Sequence, residues 1–283
     1  MADAGQGSPA AGTLYVVATP IGNLGDMTVR AVDVLRSVPL VAAEDTRLTR
    51  RLWARYEIKT RLISYHAQSG PARERELLEH LGAGRDLAIV TDAGTPLVSD
   101  PGAELVSAWV ARGGRVVPIP GASAVLAALV ASGLPAARWT FEGFLPRRGR
   151  ERRELIERMC GDERTSVLFE APGRAAATLA ELAVRCGGER RAALCRELTK
   201  LHEEIWRGSL AELAARAADN DPRGEIVIVV GGRERGSEEP KIGLAEGRSE
   251  VQELVDKGWS RSSAARDVAQ RTGLARRELF REA

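Results

Sequence analysis

The residues of this chain best placed for chemistry lie in two polar loops, each of which follows an apolar run. Asp86-Leu87-Ala88-Ile89-Val90 gives way to Thr91-Asp92-Ala93-Gly94-Thr95-Pro96-Leu97-Val98-Ser99-Asp100-Pro101-Gly102, and Leu14-Tyr15-Val16-Val17-Ala18 to Thr19-Pro20-Ile21-Gly22-Asn23-Leu24-Gly25-Asp26. A strand that stops at an Asp and a Gly-Thr-Pro turn, then restarts as a helix with Asp100 as N-cap and Pro101 at the first helical position, presents its loop at the strand's carboxyl end. Ligands of α/β sheets bind there, and two such loops point to one shared cleft. The stretch from Asp92 to Pro96 offers a carboxylate and several backbone N–H groups, which suits a polar small molecule. As a plain turn former, Asp92 would need no ligand.

Further along, Ser123-Ala124 follows Pro120-Gly121, so a glycine that permits close approach precedes a helix start whose N–H groups can meet an anion. Ordinary N-capping by Ser123 is the competing reading. Phe169-Glu170-Ala171-Pro172 reads as another cofactor or substrate loop, as do Ala193 and Leu194, with Glu225 ahead of the last strand. Arg147, Arg148, Arg150, Arg152 and Arg153 cluster after Phe144-Leu145-Pro146, with Glu151 the one acid among them. On the rim of a cleft they would clamp an RNA backbone; otherwise they form a solvated face.

These groups need a scaffold, and the hydrophobic pattern predicts one. From Thr13 to about Pro120, strands at Leu14–Ala18, Val38–Ala43, Arg61–Tyr65, Leu87–Thr91 and Val116–Ile119 alternate with helices starting near Asp26, Asp45, Ser69 and Asp100. That alternation predicts a mainly parallel sheet with helices on both faces. Ser123 to Ala131 reads as a helix of small residues ending at Gly133, with a hinge at Leu134-Pro135. From Trp139 to about Gly232, strands at Trp139–Phe144, Thr165–Phe169, Arg191–Glu197, Glu203–Trp206 and Ile226–Val230 outnumber helices at Arg153–Met159, Ala175–Arg185 and Leu210–Ala217, which predicts a second α/β domain with a mixed sheet. The expected division is a tail over 1–12, α/β domains over 13–121 and 122–232, a flexible Gly/Glu/Arg/Ser connector over 233–247, and a helical unit over 248–283. In that last unit, Glu250–Asp256, Ser262–Gln270 and Ala275–Glu282 are broken at Gly258 and Gly273 in the manner of a helix-turn-helix. Arg261, Arg266, Arg271, Arg276, Arg277 and Arg281 would make it basic and fit for RNA phosphates, or else the unit is a packing element.

Composition narrows the classes. A net charge of +2 conceals that, of 41 Lys and Arg residues, only Lys59, Lys200, Lys241 and Lys257 are lysines. Arginine suits bidentate phosphate recognition, although base composition of the genome gives the same bias. Cys160, Cys186 and Cys195 are odd in number and lack zinc-type pairing, which argues against a disulfide framework and against a metal site. His66, His80 and His202 are scattered, so no metal is expected. No segment has the roughly 18 uninterrupted apolar residues of a membrane helix, and the small, polar start lacks a signal-peptide pattern, so a cytoplasmic protein is expected. Gly22-Asn23-Leu24-Gly25 does not supply a dinucleotide fingerprint, and no Gly-Lys-Ser/Thr of a P-loop occurs.

The two opening loops, with Ala43-Glu44-Asp45-Thr46-Arg47, Pro120-Gly121-Ala122-Ser123-Ala124, Phe141-Glu142-Gly143-Phe144-Leu145-Pro146 and Arg196-Glu197-Leu198-Thr199-Lys200, resemble in the same order the tetrapyrrole methylase superfamily. Within it they resemble the members that methylate the 2′-oxygen of a cytidine ribose in small-subunit (16S) ribosomal RNA. The resemblance runs from about Gly12 to about Gly232 and implies two α/β domains with S-adenosyl-L-methionine held in the cleft between them, and a homodimer. Asp92, Ala93, Gly94, Thr95 and Val98 would then line the cofactor site, faced by Thr19, Pro20, Ile21 and Gly22. The glycine-rich pattern common after the first strand in the superfamily is absent, so a differently shaped mouth is expected.

A sulfonium methyl is already electrophilic, so alignment is the main catalytic task and no metal or covalent nucleophile is required. A ribose hydroxyl is a poor nucleophile while protonated, and Glu44, Asp45 and Glu197 are the candidate bases. Glu44-Asp45 fits a helix cap equally well. Lys200 would hold a phosphate or depress a neighbour's proton affinity. Other enzymes of this fold act on tetrapyrroles, which leaves a small-molecule methyltransferase as the competing enzyme reading and a non-enzymatic RNA-binding protein as a third.

Overall fold

The structure is a computed structural model and describes residues 11–234, 243–272 and 274–280. The expectations placed on residues 1–10, on 235–242 of the connector, on Gly273 and Arg281, and on the side chain of Arg271 lie outside the described residues.

The first sheet contains β1 (Thr13–Val17), β2 (Leu40–Ala43), β3 (Arg61–Ser64), β4 (Leu87–Val90) and β5 (Arg115–Ile119) in the order β3-β2-β4-β1-β5, all parallel. Every residue of β2 and β4 is buried, as their unbroken apolar runs require of strands covered on both faces. Alternation divides them between two cores. Val41, Ala43, Ala88 and Val90 face α1 (Val29–Ser37) and α2 (Thr46–Tyr56), while Leu40, Ala42, Leu87 and Ile89 face α3 (Pro71–Gly82) and α4 (Ala103–Ala111).

The second sheet is mixed, as expected. β6 (Trp139–Phe144), β7 (Thr165–Glu170), β8 (Arg191–Arg196), β9 (Glu204–Ser209) and β10 (Ile226–Val230) run in the order β6-β7-β10-β8-β9, and only β6 and β7 pair in parallel. One face carries α6 (Arg150–Gly161), α7 (Ala175–Cys186) and α8 (Leu210–Asp219). The other is covered by α5 (Ala124–Ser132), capped by Ser123 and closed by Gly133 at φ 74°, and by Ile21, which reaches this core from the loop after β1. Both sheets belong to one compact unit, and the last three helices make a second.

The helix expected to open at Asp100 opens at Ala103 instead, with Gly102 before it at φ 121°. Leu97 and Ser99 take left-handed backbone at φ 74° and 68°, which coils this segment as a loop. A Cβ on Gly102 would lie 2.6 Å from Ile89 Cδ1, so only glycine lets the chain turn that close to β4.

The cysteine expectation is corrected. Cys160 and Cys186 form a disulfide, with a Cα–Cα distance of 4.6 Å, that joins the last turns of α6 and α7. The two helices lie on one face of the sheet, and it is this tertiary adjacency, invisible in the spacing, that makes the pair. Cys195 is free, and burial pushes its thiol up to about 12. Closing a loop of this length stabilises a domain by about 2–4 kcal/mol. Cys160→Ser is therefore expected to lower the unfolding free energy from urea denaturation by that amount, with dithiothreitol doing the same to the wild type; coincident curves would mean that the bridge contributes nothing.

In the second unit, α9 (Leu244–Asp256), α10 (Arg261–Thr272) and α11 (Arg276–Phe280) enclose Val251, Ala264, Ala265, Val268, Leu274 and Leu279. Helix α9 begins inside the segment read as connector, because Leu244 and Gly247 pack in register with Val251. Among the described residues no helix is long and apolar enough to cross a membrane.

Candidate active site

The carboxyl ends of neighbouring β1 and β4 bring the two opening loops into direct contact. Thr19 N–H donates to Gly94 O at 2.8 Å and Gly94 N–H to Thr19 O at 3.1 Å. Thr95 Oγ1 donates to Ala122 O at 3.3 Å, which ties in the loop after β5. Gly121 allows that loop to pass β1: a Cβ there would stand 2.9 Å from the Cβ of Ala18. The sequence-predicted shared cleft is thus held together mostly through backbone.

A cavity of about 360 Å³ opens beside this junction. Of the sequence-predicted cofactor residues, Ile21, Ala93, Gly94, Thr95, Val98, Ser123 and Ala124 line it from the first half, and Phe169, Glu170 and Glu225 from the second. Phe144, whose ring centroid lies 5.4 Å from that of Phe169, adds an aromatic wall. Ser123 Oγ caps α5 by accepting from Leu126 N–H at 3.4 Å. That leaves the N–H groups of Ala124 and Val125, in the first turn and at the cavity wall, without intrahelical acceptors. Capping and an anion-ready helix start coexist here.

Thr19, Pro20, Gly22 and Asp92 do not line this cavity. They line a second pocket of about 490 Å³ with Leu24, Leu48, Arg51 and Lys200, which shares Ile21, Ala93 and Glu225 with the first. The reason is local: Asp92 turns toward the end of β2, where its Oδ1 accepts from Asp45 N–H at 3.0 Å. Gly22 is required by packing, since a Cβ there would stand 2.4 Å from Lys200 Cγ and 3.1 Å from Leu198 O.

Lys200 Nζ lies 2.9 Å from Glu197 Oε1 and 3.2 Å from Glu225 Oε1. Burial works against its charge, but these two carboxylates outweigh that and raise its pKa, so it is a cation. Glu197 also accepts from Glu225 N–H at 2.9 Å, and with Lys200 this holds it below the usual carboxylate range. Its backbone is left-handed at φ 51°, and Thr199 at 66° likewise. Thr199 anchors the turn by accepting Asn23 N–H on Oγ1 at 3.1 Å and donating its own N–H to Glu203 at 2.6 Å.

Three carboxyls gather at the ends of β2 and β4. Burial raises Glu44, whose Oε2 accepts from Asp92 N–H at 3.3 Å. Burial also raises Asp92, with repulsion from Asp45 adding to it. Asp100, on the cavity wall, is pushed up to about 6, chiefly by burial and then by Glu44 and Asp92. The nearby Thr91 hydroxyl pulls it back, though that hydroxyl makes no well-formed hydrogen bond. Reading Asp100 only as a helix cap missed it; the signal was a second carboxylate in the same loop.

Other expectations are corrected. Asp45 caps α2 through Arg47 N–H at 2.7 Å and pairs with the Arg47 guanidinium, which brings it down to about 2 and leaves it a poor base. Ala193 and Leu194 are fully buried in β8, one in each core beside the second sheet, and line neither of these two pockets. The Glu170 carboxylate is enclosed, accepting from Thr178 Oγ1 at 2.5 Å and Ala171 N–H at 2.8 Å and facing Arg174 at 3.3 Å. Arg152 is 8% exposed and bonds Glu181, Thr178 and Pro146 O, so it is internal. Arg147, Arg148, Arg150 and Arg153 are exposed, Arg150 being paired with Glu154 at 2.6 Å.

In the helical unit, Arg266, Arg276 and Arg277 are exposed and Arg261 is half-buried. Acids predominate on α9, with Glu246, Glu250, Glu253 and Asp256 against Arg248, whereas these arginines lie on α10 and α11 beside Asp267 and Glu278. Among the described residues no group of three or more His, Cys, Asp or Glu side chains is placed to hold a metal ion.

Comparison with known proteins places this geometry. The model of the tetrapyrrole (corrin/porphyrin) methylases matches residues 13–214. A protein named ribosomal RNA small subunit methyltransferase I from Synechocystis sp. is 48% identical over 95% of this chain and 96% of its own. One of the same name from Xylella fastidiosa is 44% identical over 95% and 98%. Among solved structures, uroporphyrin-III C-methyltransferase from Thermus thermophilus, complexed with S-adenosylhomocysteine, aligns with a TM-score of 0.55 at 21% identity, over 78% of this chain and 97% of its own.

Proposed function

From a chain that belongs to the tetrapyrrole methylase family, and within it to the ribosomal RNA small subunit methyltransferase I proteins, we propose a methyl transfer from S-adenosyl-L-methionine to the 2′-oxygen of a cytidine ribose in 16S ribosomal RNA. The observation that carries this reading is the pair of pockets that share Ile21, Ala93 and Glu225, one suited to a methyl donor and the other to an acceptor.

The first cavity fits the donor. Phe144 and Phe169, their rings inclined at 58°, offer an apolar aromatic wall to an adenine, and the N–H groups at the start of α5 suit a carboxylate. Gly94 keeps the backbone clear of the ligand. When bound, S-adenosylmethionine supplies an activated methyl group, so the protein's work is alignment and exclusion of water. Arg147, Arg148, Arg150 and Arg153, with Arg261, Arg266, Arg276 and Arg277 of the last helices, provide cations for an RNA backbone. A tetrapyrrole acceptor has weaker support, because solved structures named for uroporphyrin-III or precorrin-4 methylation are 16–24% identical to this chain and show the fold alone.

Mass spectrometry of 16S ribosomal RNA nucleosides tests the reading. Cells lacking the gene are expected to lose one 2′-O-methylcytidine, and the purified protein with S-adenosylmethionine is expected to restore it on their small subunits. An unchanged nucleoside profile, or a methyl on a base, would overturn it.

A further inference from the structure

We propose that the pocket beside the donor cavity seats the acceptor nucleoside and that Asp92 takes the proton from its 2′-hydroxyl, an inference that rests on the ribose methylation just argued. Asp92 stands in the acceptor pocket while the next residue, Ala93, belongs to the wall shared with the donor cavity. A hydroxyl held by Asp92 therefore lies at the boundary that a methyl must cross.

The carboxylate is oriented for the task. Asp45 N–H fixes Oδ1 at 3.0 Å, and Glu44 holds the Asp92 backbone N–H at 3.3 Å. Among the described residues, Oδ2 has no hydrogen-bond or ion-pair partner, and it is the oxygen left to accept a proton. The other acids are less suited. Asp45 is committed to Arg47, Glu197 to Lys200 and the backbone of Glu225, and Glu225 to Lys200 at 3.2 Å. Burial also raises the pKa of Asp92 from its ordinary value, which favours it as a base.

The rest of the pocket suits a nucleotide. Leu24 and Leu48 are 43% and 40% exposed and give a base apolar surfaces, while the exposed Arg51 brings a cation suited to a flanking phosphate. In the step itself, the ribose oxygen forms its bond to the methyl carbon, leaves the electron pair of the broken S–C bond on sulfur, and yields its proton to Asp92 Oδ2.

Asp92→Asn tests this, because the amide oxygen still accepts from Asp45 N–H while the side chain no longer takes a proton. The expected kcat on small ribosomal subunits falls by roughly 10²–10⁴-fold. The KM for RNA and the calorimetric Kd for S-adenosylmethionine stay within about twofold of wild type, which also reports a folded variant. A variant that transfers methyl at the wild-type rate would overturn the proposal. So would one whose cofactor affinity falls in step with its activity, since Asp92 would then be a donor ligand. If the wild-type protein itself gives no ribose methylation, the functional reading fails, and this proposal with it; that result is read without the variant.

Discussion

Gly94→Val is expected to weaken S-adenosylmethionine binding at least a hundredfold, which is about 2.7 kcal/mol. Gly94 sits at φ 82°, where a β-branched residue is strained by about 1–3 kcal/mol. A Cβ there already stands 3.3 Å from Ile21 Cγ2, and the two further methyls of valine have to take space in the cavity that Gly94 and Ile21 line together. The backbone cannot relax freely, because both the N–H and the carbonyl of Gly94 are bonded to Thr19. Gly94→Ala, with strain but fewer added atoms, should lose less. Calorimetry on both variants, with a thermal melt to confirm folding, checks the order. A folded valine variant of wild-type affinity would mean that this cavity is not the donor site.

Much of this site was legible because it is built at strand ends. An apolar run that stops at a Gly-Thr-Pro or Thr-Pro turn fixes where a ligand loop must be, and the parallel sheet then brings Thr19 to Gly94. What a loop's side chains face was less legible. Asp92 and Ala93 are adjacent in the chain, yet Asp92 belongs to one pocket alone and Ala93 to both, because a hydrogen bond from Asp45 decides the direction of the carboxylate. Strand interiors mislead in the same way: Ala193 and Leu194, inside the strand predicted over Arg191–Glu197, also read as a cofactor or substrate loop, but β8 lies between β10 and β9 and both residues are enclosed. The Cys160–Cys186 bridge and the close approach of Lys200 to Gly22 depend on contacts between segments far apart in sequence, which no local spacing encodes.

The arginine run after β6 shows how one motif divides into two roles, and its variants should separate them. Arg147, Arg148 and Arg153 project into solvent, whereas Arg152, on α6, points inward to Glu181, Thr178 and Pro146 O. Replacing Arg147, Arg148 and Arg153 together with Ala, and leaving the exposed Arg150 on its Glu154 partner, is expected to leave the melt and the cofactor affinity unchanged. Each lost phosphate contact removes somewhat less than one unit from the slope of log K against log salt, so the triple variant should lose about 2–3 units and bind RNA roughly 10²-fold or more weakly at low salt. Arg152→Ala should do the reverse. It strips one of two cations from Glu181, leaving Arg185 at 3.4 Å, and removes the donor to Thr178 Oγ1, whose hydroxyl bonds Glu170 beneath the cavity wall, at a cost of about 1.5–3 kcal/mol in stability. Its RNA salt slope should match wild type wherever the protein is folded. Filter binding across a salt series, run beside urea denaturation, distinguishes the two. A triple variant with an unaltered slope would reduce the exposed run to a solvated surface, and an Arg152→Ala protein of wild-type stability would remove the internal role assigned to that guanidinium.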